Sequence, residues 1–208
     1  MNKRRCLLWC LCSAVSLLSI LCFELWSDWL TAVPLDAPFP LDKPSAVEQV
    51  IEIRSTDYKY LQVRLARTQD NFQQLMDLVG RDGQPATVQV HWRLLGMDSK
   101  VLAQGTSRLG QASGISRDDI SCWLATLRYP APTGHYQLQA QVTVADPAFA
   151  GVDTRLVLES SPKNGSDPRF GLMFFWMIFN LLVCWPLAIV GGIAAAVCYL
   201  RGRTIVEP

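Results

Sequence analysis

Histidines, adjacent carboxylates and thiols are the side chains here that could do chemistry, and the sequence places few of them together. The chain has two histidines, His91 and His135, each inside or at the start of an alternating segment and neither in a cluster with metal-ligand spacing. It contains no H-x-x-x-H, no paired C-x-x-C, no G-x-S-x-G and no phosphate-cradling G-x-x-x-x-G-K. Asp118-Asp119 could pair as acid and base, but adjacent aspartates in a Ser/Gly-rich stretch read as a solvated turn. Asn164-Gly165-Ser166 matches a glycosylation sequon and reads as a linker turn. No catalytic residue, metal ligand or cofactor is expected, and the chain reads as a non-enzyme.

The elements that must position these residues begin with two apolar runs. Half of the 208 residues are hydrophobic and 18% are charged, an excess that points to a membrane protein. Cys6 to Phe23 is 18 residues without a charge, about 27 Å as a helix, which spans a bilayer core. Phe170 to Leu200 is a second run, bounded by Arg169 and Arg201, long enough to cross with tilt or a bend at Pro186. The first run lacks an A-x-A-like cleavage site and reads as an uncleaved anchor. Lys3, Arg4 and Arg5 before it and Arg201 and Arg203 after the second place residues 1–5 and 201–208 in the cytoplasm of a bacterial cell. Residues between the spans then face the periplasm, and Trp26, Trp29, Phe174, Phe175 and Trp176 mark the outer surface of the inner membrane.

The net charge of +1 excludes a global basic field for nucleic acid, and the exported part, 31–169, is near neutral with 14 Lys+Arg against 15 Asp+Glu. Six of seven cysteines fall in the spans, where they act as small hydrophobes. Cys122 alone is exported, so no internal disulfide is expected and a buried thiol is.

Residues 24–45 carry Pro34, Pro38, Pro40 and Pro44 and read as an extended stalk. A folded domain is expected over 46–160, followed by a linker at 161–169. YKYLQVRLA, TVQVHWRLL and HYQLQAQVTV alternate with period two, as half-buried strands do. Phe72, Leu75, Met76 and Val79 instead recur at helical spacing, with Asp70 as N-cap and Gly80 as stop, so one short helix covers the core. Gly105 to Ser116 reads as a loop. Seven or so strands separated by Gly/Pro turns predict an all-β immunoglobulin-like sandwich, flanked by two transmembrane helices.

PAPTGHYQLQAQVTVADPAFAGVDTRLVLE resembles the closing hairpin of a bacterial β-sandwich family of lipoproteins and membrane-anchored envelope proteins. The resemblance rests on the P-x-G-x-Y-x-L and P-x-x-A-G-V turn-strands, with YLQVRLAR and VGRDGQPATVQVHWRLLG adding to it, and here helical anchors stand in place of the lipid. Some members are proposed immunity factors. The resemblance therefore implies a membrane-anchored periplasmic protein that neutralises a secreted antibacterial toxin by direct contact; the alternative is an accessory or sensor subunit of an envelope membrane complex. Charged loops at Arg81, Arg117, Asp118 and Asp119 are the candidate partner contacts, since loops vary without disturbing a core. In the second span, Asn180 and the small residues Ala188, Gly192 and Ala196 form the candidate helix-contact face for oligomers or neighbouring subunits, with lipid around the rest.

Overall fold

The computed structural model describes residues 3–79, 87–127, 133–160 and 167–203, which form a helical unit from both ends of the chain and a β unit over Val33–Asp167. In the helical unit, α1 runs Lys3–Thr31. It passes Glu24 and Asp28, beyond the expected limit at Phe23, and stops where Val33, the residue before Pro34, is steered away from helical ψ. The second long helix has three parts: α3 (Pro168–Phe179), a π-helical turn (Asn180–Cys184) and α4 (Trp185–Arg203). The wide turn ends just before Pro186, whose missing N–H leaves the preceding carbonyls without their usual donor. Both helices are long and apolar enough to cross a membrane.

Among the described residues the β unit has two antiparallel sheets with nine strands. Sheet A has the order β1-β9-β3-β7-β6, from Leu35–Pro38, Thr154–Ser160, Lys59–Ala66, Asp119–Leu127 and Ala112–Ile115. Sheet B has the order β2-β8-β4-β5, from Ala46–Ile53, Gly134–Val144, Gln89–Gly96 and Val101–Arg108. Period-two alternation sends Leu61, Val63 and Leu65 of sheet A, and Val90, Trp92, Leu94, Leu138 and Ala140 of sheet B, into one core between the sheets. The helix α2 (Phe72–Leu78) closes this core with Leu75 and Val79 buried and Phe72 and Met76 packed against it. Its N-cap is Asn71, not Asp70. The Asn71 side chain turns back to accept from Thr68 N and donate to Ala66 O, which fixes the approach to the helix.

Two segments depart from the sequence reading. The proline-rich stretch is part of the sandwich: β1 pairs with β9, and Leu35, Phe39 and Leu41 are buried. Phe39 N donates to Thr154 O, and Thr154 Oγ1 donates to Phe39 O at 2.7 Å. Prolines suit an edge strand and a connection, where no ladder donor is needed, so their density marked an edge and not a stalk. Gly105–Ser116 is likewise no loop; it contains half of β5 and all of β6, each at an edge of its sheet. Gly105 is there because Trp92 lies across it: a Cβ at 105 would stand 3.0 Å from the indole. With no side chain at 105 the large ring can lie flat, which the sequence pattern did not reveal.

Candidate functional site: the two outer faces of the sandwich

The same alternation that fills the core leaves each sheet a solvent face, and cross-strand register decides which side chains meet there. On sheet A one row runs Asp36, Val157, Gln62 and Trp123, and the next runs Pro38, Arg155, Arg64 and Ser121. Trp123 points outward between Cys122 and Leu124 and is 53% exposed. Its indole stacks on Tyr60, with centroids 5.5 Å apart and planes 17° from parallel. Toward β9 and β1 the charges of this face are matched. Arg64 meets Glu159 at 2.8 Å, Gln62 donates to the same Glu159 oxygen, and Arg155 meets Asp36 at 2.6 Å. Beneath them Gln62 and Val157 are buried, although both alternate outward.

Sheet B differs. Its rows read Ala46, Gln141, His91, Thr106 and Glu48, Gln139, Arg93, Gln104. Ala46 leaves a gap over β8, and a groove of about 280 Å³ opens there, lined by Glu48, His91, Arg93, Gln139 and Gln141. Arg93 Nε donates to His91 Nε2 at 3.0 Å. An arginine can only donate, so Nε2 accepts, and the His91 proton sits on Nδ1, 3.1 Å from Thr106 Oγ1. Glu48 Oε1 accepts from the amides of Gln137 and Gln139. Among the described residues no carboxylate pairs with Arg93.

The candidate residues from the sequence fall elsewhere. Arg117 and Asp118 are exposed at the β6–β7 turn, with Asp119 half-buried as the first residue of β7. Ser116 Oγ accepts from the N–H groups of Asp118 and Asp119, and Arg67 holds the turn by donating to Ser116 O at 2.6 Å while its guanidinium lies 4.2 Å over the Phe72 ring. The aspartates thus shape a clamped turn and converge on no common point. Arg81 and the sequon at Asn164 lie outside the described residues. Cys122 is buried, and burial pushes its thiol up to about 12, far from a reactive thiolate. Among the described residues no group of His, Cys, Asp and Glu could hold a metal ion.

In the helical unit, Asn180 is buried and its Oδ1 accepts from Ser19 Oγ at 3.0 Å; Trp176 Nε1 donates to Ser19 at 3.3 Å. Ala188 is buried too, and its carbonyl accepts from Ser13 Oγ at 3.0 Å. Gly192 and Ala196 are exposed, and Gly191 makes the tighter contact with α1: a Cβ there would be 3.0 Å from Trp9 O, against 3.9 Å from Ser13 Oγ for one at Gly192. A spacing of four residues drifts off a packed face of an α-helix, so within α4 the contact passes from Ala188 to Gly191. Trp123 and Arg93 were missed because a strand pattern was read only for its buried phase. The signal was a tryptophan in the polar phase of SCWLATL.

No family model and no curated protein matches the chain. One solved structure that resembles it, a crystal structure of a protein from Sulfurospirillum deleyianum, is 13% identical, with a TM-score of 0.46 over 62% of this chain and 97% of that one.

Proposed function

We propose that the chain is a membrane-anchored binding protein of the bacterial envelope, whose immunoglobulin-like sandwich holds another protein against the outer face of sheet A. The observation that carries this reading is Trp123, 53% exposed and stacked on Tyr60, on a face that also carries the Arg64–Glu159 and Arg155–Asp36 ion pairs. An exposed tryptophan held rigid and bordered by polar groups is how binding hot spots are built, because partner docking strips water from the ring without stranding a charge. The partner that complements it presents an apolar patch with a polar border. Following the family resemblance, that partner is a secreted antibacterial toxin, neutralised by direct contact in the periplasm. Two spans with basic cytoplasmic flanks would confine the binder at the inner membrane and raise its local concentration there. The rival reading, a subunit of an envelope complex, draws on Asn180, whose Oδ1 accepts from Ser19 of the same chain while its buried Nδ2 has no hydrogen-bond partner among the described residues.

A photo-crosslinking residue at 123 of the full chain, in its native cells, should give one defined adduct with another protein, and the same probe at exposed Thr143 of sheet B should not. The reading fails if position 123 yields no adduct, or the same adducts as 143. Identification of the adduct as a subunit of an envelope complex would replace the toxin as partner.

A further inference from the structure

The two ends of the sandwich differ in what their turns expose, and strand register says where each turn lies. Gly96 pairs with Tyr136 and Ile53 with Gly134, so the β4–β5 turn, residues 97–100, is at the end of sheet B where β2 stops. Residues 54–58 cross there to sheet A. Lys59 then starts β3 opposite Ser160, the last residue of β9, and Leu35, the first residue of β1, pairs with Leu158. Asp167 is held at the same end: its Oδ2 accepts from Thr56 N and its N–H donates to Asp57 Oδ1, each at 3.0 Å. The chain therefore enters the β unit and leaves it at one end. Residues 32–34 alone separate Thr31 of α1 from Leu35 of β1, a tether of at most about 14 Å, and Pro168 opens α3 directly after Asp167.

At this end the β4–β5 hairpin exposes Met97 (65%), Val101 and Leu102, with Lys100 exposed among them, and Tyr58 is exposed in the β2–β3 connection. Asp98 is spent on the turn, its Oδ1 accepting from Lys100 N at 3.2 Å. The turns described at the opposite end expose Asp70, Arg117 and Asp118 and no large apolar side chain. The β5 strand is also an edge, where exposed apolar residues invite pairing with another chain unless something covers them. We infer that what covers them is lipid: the β4–β5 tip rests in the surface of the membrane that the two apolar helices cross. Met97, Val101 and Leu102 enter the boundary between headgroups and acyl chains, a depth of about 5–10 Å for apolar groups that lie at an interface. Lys100 keeps its ammonium at the lipid phosphates while its stem lies along apolar surface, and Tyr58 sits at headgroup level, where amphipathic rings are enriched. The short tether brings this end, and not the charged one, within reach of the bilayer. This inference rests on the membrane-anchored reading but not on Trp123, so its failure leaves the protein-binding face intact.

The test is photo-crosslinking of the full chain in lipid nanodiscs, with a benzophenone side chain that adds to acyl C–H groups placed in turn at positions 97, 102 and 118. Intact mass should show a phospholipid adduct at a hairpin position and none at 118. Two hairpin positions are probed so that a probe that disturbs one of them does not decide the result. Absence of lipid adducts at both 97 and 102, equal yields at 118, or crosslinks that only join two copies of the chain would each overturn the inference. A chain that does not enter nanodiscs at all would remove the membrane-anchored reading and this inference with it, whereas a chain that enters and adds no lipid at the hairpin removes this inference alone.

Discussion

The two outer faces of the sandwich share one core and one alternation rule, yet they are finished in opposite ways. On sheet A the charges neutralise each other, and what is left exposed is an aromatic ring, Trp123 on Tyr60. On sheet B the amides hold Glu48 and His91 holds Arg93, and no carboxylate among the described residues pairs with Arg93. Exposed ion pairs add little to stability, about 0–1 kcal/mol. The arrangement on each face is therefore free to follow recognition and need not serve folding. A face with matched charges suits burial under a protein.

That contrast holds only if both sheets rest on one core, and the segment that joins them is the place to break it. Phe39 is fully buried between β1 of sheet A and β2 of sheet B. Phe39→Ala should cost about 3–5 kcal/mol in chemical unfolding, as for other buried phenylalanines. A loss under about 1 kcal/mol would return the proline-rich stretch to the role of a stalk.

A smaller effect separates the two edge strands. Gly105→Ala on β5 drives a Cβ against the Trp92 indole at 3.0 Å, while Gly114→Ala on β6 meets nothing closer than 3.9 Å. Thermal and denaturant unfolding should show about 1–3 kcal/mol lost at 105 and about 0.5 kcal/mol or less at 114. Equal effects would mean that Gly105 does not serve Trp92.

The smallest effect is pH-dependent. Asp146 accepts from Thr87 Oγ1 at 2.5 Å and from Ala148 N at 3.0 Å, capping the short turn Pro147–Phe149. The Thr87 hydroxyl first, then the Ala148 N–H, hold its carboxyl below the ordinary carboxylate range. A lowered folded-state pKa means that its stabilisation is present above that range and is lost as pH falls through it, below about pH 4. Asp146→Asn should flatten the stability profile between about pH 5 and pH 2 relative to the parent and leave the alkaline side unchanged. An identical acid limb in both proteins would show that the cap is not formed.

Much of the fold was legible in the sequence because burial imposes a period. Leu61, Val63 and Leu65, then Tyr136, Leu138, Ala140 and Val142, are buried where their alternation puts them, and the apolar runs lie on two long helices. The segments read wrongly are those where composition answers to an edge and not to a period. Prolines at 34–44 and glycines at 105–114 resemble linkers by content, yet β1, β5 and β6 pair on one side only and tolerate both. Neither outer face could be read in the same way. Their side chains meet through register across strands distant in sequence, as Gln62 meets Trp123 and Glu48 meets Gln139.

The central claim is that the partner lies on Trp123 and not on the charged turn at Arg117, and the affinity of the protein crosslinked through position 123 tests it most directly. Trp123→Ala should weaken that binding by about thirtyfold or more, the equivalent of about 2 kcal/mol, while the triple change of Arg117, Asp118 and Asp119 to Ala changes it by less than about threefold. The opposite result, with affinity kept by Trp123→Ala and lost in the turn variant, would contradict the account and move the binding site to the β6–β7 turn.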